Sequence, residues 1–387
     1  MTHEELIDRA RALAPILRER ADKAQEMRRM PDETMADLKA NGFFRVLQPK
    51  RFGGYELSPQ TLFDLQITLG AADPSTAWVL GVVAVHSWQL ALFDERAQQD
   101  VWGEDTDVLI SSSYMPVGQV KRVEGGFRFS GRWGFSSGSD HCDWAFLGGF
   151  VPVESGPPDM RTFLIPKSDY RLEDTWHVSG LKATGSKDVV IDDVFVPEYR
   201  THKLIDGYRC KNPGNTVNDA PLYRLPFGQV FVRSVSTTII GIAQGMLDAY
   251  VELMRGRISR ATGSKGKENG YAQHVAAEAA AVIDGARLVL ERNFSEMMAD
   301  VTAGRPIELE RRIKYRYDSS RVVENCVRAV DQMFTNAGGA PVFLSSPLNR
   351  YFQDAHAARA HYANNPVPPG ENMGRVAFGL KNTDFFL

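Results

Sequence analysis

The stretch Gly131-Arg-Trp-Gly-Phe-Ser-Ser-Gly138 decides the fold of this chain. Apolar residues alternate with other residues on both sides of it, at Phe127 and Phe129 before it and at Trp144 and Phe146 after it. Alternation with a period of two is typical of β-strands. We therefore expect the stretch to be a strand within a β-domain.

The residue types in this stretch suit contact with a flat ring. Trp133 offers a planar apolar face, whereas Ser136 and Ser137 offer short hydroxyls and closely spaced backbone N–H groups. The glycines at the two ends let a planar group approach the main chain. An ordinary barrel strand with a small-residue turn explains the same motif, so both interpretations stay open at this point.

Composition and charge narrow the class of protein. A chain of 387 residues with 43% hydrophobic content can bury large cores and predicts two or three domains. A net charge of −3 gives no basic surface for nucleic acid or an anionic membrane. Three widely spaced cysteines argue against disulfides and zinc, so no metal site is predicted. The charged N-terminal segment lacks an apolar signal core, and we expect a cytoplasmic protein.

One uncharged segment, Pro74 to Phe93, superficially suggests a membrane span. Polar residues interrupt it, and no basic flank accompanies it. We interpret it as a helix buried in a globular core. His86 lies in this segment, and a buried imidazole needs a partner or a task.

The periodicity divides the chain into three parts. Residues 1–105 show helical spacing, residues 106–215 show the strand period, and residues 216–387 return to long helices. Strands are expected at Arg161–Ile165 and Val189–Asp193. The predicted fold class is α+β, with an N-terminal helical domain, a central β-barrel and a C-terminal four-helix bundle.

This order resembles the acyl-CoA dehydrogenase superfamily. Several motifs match it in sequence order: Ala72–Trp78, the Gly131–Gly138 strand, Gly180–Ser186, Val194–Pro197, Asn336–Gly339 and Arg350–Asp354. The resemblance spans nearly the whole chain. However, dehydrogenases of this superfamily carry a carboxylate base in a Tyr-Glu-Gly-Thr-like context, and here the equivalent region reads Asn365-Pro-Val-Pro-Pro-Gly-Glu-Asn-Met373.

Within the superfamily, the chain is similar to the oxygenase components of two-component, reduced-flavin-dependent aromatic hydroxylases. That family includes 4-hydroxyphenylacetate 3-hydroxylase and 3-hydroxy-9,10-secosteroid 4-hydroxylase. Four signatures carry the similarity: Val85–Ser87, Ile110–Tyr114, Phe135–His141 and Asp354–His361. The resemblance implies hydroxylation of a phenolic ring, with the ortho position favoured. The oxidant would be a C4a-hydroperoxyflavin formed from O2 and reduced FMN, with FAD as the alternative flavin.

The resemblance also assigns four catalytic residues. Ser137 would hold the proton on flavin N5, and His361 would lie near the C4a and N5 atoms. His86, with a pKa expected near neutral, would remove the phenol proton, and Ser112 would hydrogen-bond the substrate oxygen. A simpler interpretation also stands for two of them, because Ser137 can cap a strand turn and a lone histidine on an apolar helix is usually a core residue.

The same resemblance gives a wider set of flavin contacts: Trp78, Ser112, Ser113, Trp133, Phe135, Ser136, Ser137, Arg257, Gly338, Gly339 and His361. Arg257 would meet the flavin phosphate across a subunit boundary, although a solvated cluster of arginines explains it about as well. Gly338 and Gly339 would let a neighbouring chain approach. We therefore expect a homo-oligomer, a tetramer by family resemblance. His356 is interpreted as structural or solvent-facing.

Neither a GxGxxG after a strand nor a GxxxxGK[ST] motif occurs, so no nicotinamide or P-loop site is predicted. A separate NAD(P)H:flavin reductase would then supply the reduced flavin. Three alternatives remain open: an acyl-CoA dehydrogenase that oxidises a thioester with FAD, an N- or S-oxygenating monooxygenase, and a helical scaffold without cofactor.

Overall fold

The N-terminal part of the chain is helical. The structure is a computed structural model that describes residues 1–156, 159–258 and 263–387. The first five helices are α1 (His3–Met27), α2 (Asp32–Ala40), α3 (Pro59–Gly70), α4 (Pro74–Leu90) and α5 (Glu95–Trp102). A capping box at Thr2 and Glu5 fixes the start of α1 by satisfying free backbone N–H groups.

The middle of the chain forms one seven-stranded sheet. Its strands are β1 (Ile110–Val123), β2 (Gly126–Ser136), β3 (Trp144–Val151), β4 (Asp159–Pro166), β5 (Arg171–Glu173), β6 (Lys187–Pro197) and β7 (Thr201–Lys203). Their order is β5-β6-β2-β1-β3-β4-β7, and within the described residues only β1 and β3 run parallel. Strand β1 pairs with β3 through its first residues and with β2 through its last. The two halves of the sheet therefore enclose one apolar core.

The C-terminal part returns to helices, as predicted. They are α6 (Leu204–Arg209), α7 (Phe227–Ser236), α8 (Thr238–Gly256), α9 (Gly270–Thr302), α10 (Leu309–Asn336), α11 (Pro347–Arg359) and α12 (Val367–Ala377). Helices α8 to α11 pack on one another, and their core is continuous with that of the N-terminal helices. The division at residues 105 and 215 stays a prediction.

Helix α4 lies at the centre of the molecule and is buried on almost every side. Asp73 caps its first turn by accepting a hydrogen bond from the backbone N–H of Thr76. Only Val82 and Ser87 along the helix are not fully buried. The interpretation of residues 74–93 as a core helix is confirmed. Its neighbours include β1, α7 and α8, so its side chains reach the junction between sheet and bundle.

A second apolar stretch, residues 227–256, is long enough to cross a membrane by length and composition alone. Within the protein, 94% of the most apolar part of this stretch is buried. The stretch is apolar because it is buried against neighbouring helices, as the core helices of globular proteins are.

Candidate active site

A bulge near the end of β2 separates two aromatic residues that sequence analysis placed together. The pairing of β2 with β6 shifts between Trp133 and Ser136, and Phe135 adopts a left-handed φ of 65°. The bulge interrupts the alternation of faces, so Trp133 is fully buried while Phe135 is 67% exposed. Phe135 therefore presents an exposed ring, 5.9 Å from that of Trp176 between centroids.

The prediction that Trp133 faces the flavin is wrong. Its ring lies inside the sheet, 4.9 Å from the ring of Phe129 between centroids. Its indole N–H donates to the carbonyl of Gly148 across 3.0 Å. A residue with both its face and its polar edge occupied in the core of the sheet has no surface left for a cofactor.

The same bulge brings Ser137 against helix α4. The indole N–H of Trp78 donates to the Ser137 hydroxyl across 3.2 Å. A second contact joins the hydroxyls of Ser137 and Ser186 at 2.7 Å. Next to it, the Ser136 hydroxyl is fully buried and has no hydrogen-bond partner. The turn interpretation of Ser137 therefore does not account for its bond to another element.

His86 presents one nitrogen that is free to accept a proton. Its Nδ1 lies 2.6 Å from the carbonyl oxygen of Ile110, which can only accept, so Nδ1 carries the proton in the neutral ring. The Nε2 lone pair is buried without a partner. The expected near-neutral pKa is wrong, because burial lowers the pKa of His86 to about 4. The imidazole is neutral at physiological pH.

Two neighbouring serines of β1 face opposite ways because side chains alternate along a strand. Ser112 pairs across the sheet with Phe146, whose ring lies 5.5 Å from that of His86. Ser113 pairs with Leu147, which belongs to the core inside the sheet. The structure therefore brings Ser112 to the face of His86 and turns the side chain of Ser113 away from it.

Five aromatic side chains connect the two halves of the site. Ring centroids are 6.2 Å apart for His86 and Tyr114, 5.0 Å for Tyr114 and Phe231, and 6.2 Å for Phe231 and His361. The ring of His361 then lies 5.8 Å from that of Trp78, which holds Ser137. We call these five residues the ring wall. It joins Ser137 and His361 at one end to His86 at the other.

The protonation of His361 follows from a local contact. Its Nδ1 accepts a hydrogen bond from the backbone N–H of Ala363 across 3.2 Å, so the neutral ring carries its proton on Nε2. Burial, followed by the positive charge of Arg316, lowers the pKa of His361 to about 4. His361 therefore offers a neutral N–H donor beside Trp78.

Arg257, Gly338 and Gly339 form a separate group at the end of the bundle. Arg257 donates to the carbonyl of Ala337 across 2.9 Å, and its guanidinium lies beside Gly338, whose φ is 67°. Within the described residues, no hydrogen bond or ring contact joins this group to the ring wall. These three residues were predicted to contact the flavin. They lie close to one another within the chain, but not close to Ser137.

His356 lies outside the ring wall, as predicted. Its Nε2 lies 2.8 Å from the carboxylate of Asp331 at the bundle surface. Over the described parts of the chain, no group of three His, Cys, Asp or Glu side chains is arranged to hold a metal ion.

Sequence reasoning missed three aromatic residues of the site. Tyr114 could have been found, because it stands two residues after Ser112 and thus shares its face. Phe231 and Phe386 carry no local signal. Phe386 packs edge-on against Phe231, with centroids 5.2 Å apart, although 155 positions separate the two in sequence.

The side chains at this junction fit a flavin. Phe135 offers an exposed apolar ring, Ser137 keeps a hydroxyl lone pair, and Ser136 has a buried hydroxyl without partner. A planar ring system with polar edges would satisfy all three. Ser137, Trp78, Phe135 and His361 are the residues that would hold it.

Comparison with known proteins identifies the fold and the family of the chain. Residues 1–105 match the family described as Acyl-CoA dehydrogenase, N-terminal domain, and residues 234–366 match Acyl-CoA dehydrogenase, C-terminal domain. The crystal structure of 3-HSA hydroxylase from Rhodococcus sp. RHA1 superposes with a TM-score of 0.96 at 41% identity, over all of both chains. The predicted fold class is confirmed.

Two relatives give the enzyme class. The oxygenase subunit HsaA of a flavin-dependent monooxygenase from Rhodococcus jostii (strain RHA1) is 41% identical, and the alignment covers 98% of this chain and 99% of that protein. The oxygenase component of an FADH2-dependent resorcinol hydroxylase from Rhizobium sp. (strain MTP-10005) is 35% identical over 98% and 95% of the two chains. This chain is therefore an enzyme that belongs to the family of oxygenase subunits of flavin-dependent monooxygenases, built on the acyl-CoA dehydrogenase fold.

Proposed function

We propose that this enzyme hydroxylates a phenolic ring, ortho to its oxygen, with reduced flavin and O2. The observation that carries the proposal is the buried, unpartnered Nε2 of His86 at one end of the ring wall. A phenol becomes a better carbon nucleophile at the ortho position once its proton leaves. A relative named as a resorcinol hydroxylase supports a phenolic substrate.

His86 is the proposed general base. The hydrogen bond to the Ile110 carbonyl keeps the proton on Nδ1 and leaves Nε2 to accept the phenol proton. A pKa of about 4 keeps the ring neutral and Nε2 unprotonated, while burial makes the free imidazole a weak base. A phenolate beside the ring would raise that pKa, because an anion stabilises the imidazolium. Ser112, on the same face, would donate a hydrogen bond to the substrate oxygen.

Ser137 and His361 are the proposed residues on the flavin side. Reduced flavin, when bound, supplies the electrons that activate O2. Ser137 would hold the N5 proton, and the Nε2–H of His361 would donate towards the reacting oxygen. Phe231 and Trp78 in the ring wall are buried, and their apolar surface would exclude water from the reaction.

We propose reduced FMN as the flavin and a separate NAD(P)H:flavin reductase as its source, with FAD as the alternative that the resorcinol hydroxylase uses by name. We also propose a homotetramer. Arg257 and Gly338 lie apart from the ring wall of their own chain, so a neighbouring copy would bring them to its flavin. A cytoplasmic location is part of the same proposal.

The structure does not favour thioester oxidation. Glu371 is the carboxylate in the region where the dehydrogenases carry their base, and it is exposed on α12.

The experiment is a product screen with a flavin reductase, NADH and either FMN or FAD. Phenols of graded size, an aniline, a thioether and an acyl-CoA would each be tested, and products identified by mass spectrometry. We expect a product heavier than the phenol by one oxygen atom. Oxygenation of only the aniline or thioether, dehydrogenation of the acyl-CoA, or release of H2O2 alone from every phenol would overturn the proposal.

A further inference from the structure

A chain of three hydroxyls connects Ser137 to a fixed backbone carbonyl. The hydroxyl oxygens of Ser137 and Ser186 lie 2.7 Å apart, and those of Ser186 and Thr184 lie 2.7 Å apart. The Thr184 hydroxyl donates to the carbonyl of Leu181 across 2.9 Å. All three hydroxyl residues are buried, so solvent does not compete for their hydrogen bonds.

The carbonyl sets the direction of every hydrogen bond in this chain. A carbonyl oxygen can only accept, so the Thr184 hydroxyl must donate its one proton to the Leu181 carbonyl. Thr184 then accepts from Ser186, and Ser186 accepts from Ser137. The opposite direction would leave two oxygen atoms facing each other 2.9 Å apart without a proton between them.

The other contact of Ser137 completes the assignment. The indole nitrogen of Trp78 can only donate, so Ser137 must accept from it. Ser137 thus donates once, to Ser186, and accepts once, from Trp78. The hydroxyl proton of Ser137 is therefore used in the bond to Ser186, and one lone pair of its oxygen remains to accept from a further donor.

The carbonyl at the end of the chain is held from several sides. The backbone N–H of Leu181 donates to the buried carboxylate of Asp354 across 2.5 Å, and the indole of Trp176 donates to the Leu181 carbonyl across 3.2 Å. Leu181 itself has a left-handed φ of 51°. In addition, the N–H of Gly138 donates to the carbonyl of Thr184 across 2.9 Å. The first two contacts hold Leu181 in place, and the last one holds the backbone of Thr184 beside it.

We propose that Thr184 and Ser186 are positioning residues that make Ser137 a hydrogen-bond acceptor towards the flavin and thereby let the site distinguish reduced from oxidised flavin. This inference rests on the proposed contact between Ser137 and N5. In reduced flavin, N5 bears a proton and donates, whereas in oxidised flavin N5 is an acceptor. Two acceptors cannot hydrogen-bond, so Ser137 stabilises the reduced form and disfavours the oxidised one.

The test measures binding rather than turnover. Dissociation constants for reduced FMN, without oxygen, and for oxidised FMN would be determined for the wild type and for Ser186→Ala and Thr184→Val. Either change frees the Ser137 proton to rotate towards the flavin. We expect the preference for reduced over oxidised FMN to fall about tenfold, the effect of one hydrogen bond, mainly because oxidised FMN binds more tightly.

Two further variants separate the hydroxyl effect from general disturbance. Thr184→Ser keeps the hydroxyl and should keep the wild-type preference. Ser319→Ala removes another buried hydroxyl, in α10, that donates to a backbone carbonyl, and should change nothing. Thermal unfolding of each flavin-free variant reports on the fold independently.

The outcomes are distinguishable. An unchanged preference in Ser186→Ala and Thr184→Val, together with a changed one in Ser137→Ala, would overturn the positioning chain and leave the proposed function standing. Loss of preference in Thr184→Ser would also overturn it, because the hydroxyl would not be the cause. Failure of the wild type to bind either form of FMN or FAD would overturn both proposals.

Discussion

Trp133 and Phe135 stand two residues apart on one strand, yet the first is fully buried and the second is 67% exposed. A regular strand would place both on the same face. Because of the bulge between them, Trp133 packs in the core of the sheet and Phe135 faces outward. Substitutions at the two positions should therefore have opposite consequences for stability and for flavin affinity.

Replacing Phe135 with glycine should weaken flavin binding without destabilising the protein. Glycine adopts the left-handed φ of 65° more easily than phenylalanine, while the planar contact is lost. Aromatic contacts contribute roughly 0.5–1.5 kcal/mol, so the dissociation constant for reduced FMN should rise up to about tenfold. Phe195→Ala, which removes a 45% exposed ring on β6, is the matched control. Equal affinity in Phe135→Gly and wild type would remove Phe135 from the site.

Replacing Trp133 with phenylalanine should destabilise the protein without weakening flavin binding. The buried carbonyl of Gly148 loses its donor, and the smaller ring leaves space in the core. We expect the free energy of unfolding in urea to fall by about 1–3 kcal/mol, with the flavin dissociation constant unchanged. A weaker affinity at unchanged stability would show that Trp133 contacts the flavin after all.

Replacing His86 with alanine should uncouple flavin oxidation from product formation. Without the Nε2 acceptor the phenol keeps its proton, and hydroxylated product should fall by about 10²-fold or more while flavin oxidation continues. Product and H2O2 would be quantified per NADH consumed. His356→Ala removes a histidine at the bundle surface and should behave as wild type. Unchanged product yield in His86→Ala would exclude the base assignment.

Asp354 should make the stability of the enzyme depend on pH. Burial raises the pKa of its carboxyl from 3.8 to about 7. The folded state then holds the proton more tightly than the unfolded chain, so the contribution to stability is largest at low pH and is lost as pH rises from about 4 to 7. The shift corresponds to at most about 4 kcal/mol.

Asp354→Asn tests this directly, because its side-chain oxygen can still accept from the Leu181 N–H. Melting temperatures measured from pH 5 to pH 8 should decline less steeply in the variant than in the wild type. Asp192→Asn, which changes an 84% exposed carboxylate paired with Arg171, should keep the wild-type slope. Parallel curves for Asp354→Asn and wild type would mean that Asp354 is already ionised across this range.

Local periodicity was sufficient to predict the order of helices and strands and the burial of α4. Motif resemblance, rather than periodicity, singled out His86, Ser112, Ser137 and His361. The ring wall contains His86 and His361, and one hydrogen bond joins it to Ser137.

Periodicity failed where a local irregularity or a long-range contact decides the outcome. One bulge turns Phe135 away from the face that Trp133 shares with Phe127 and Phe129, and only Gly134 marks its position in the sequence. The pKa of His86 depends on how completely other elements enclose the ring, which the helix sequence does not contain. Phe386 reaches Phe231 only through the tertiary fold. These are features of packing rather than of sequence pattern.

Trp78 and His86 are both carried by α4, eight residues and thus about 12 Å apart along its axis. An inserted or deleted residue between them would rotate one relative to the other by about 100° and break the alignment of the proposed flavin and substrate ends of the site. We therefore expect relatives to keep the number of residues between these two positions. Divergence in substrate size would instead accumulate opposite α4, at α7 and in the segment that carries Phe386, where side chains can change without altering that spacing.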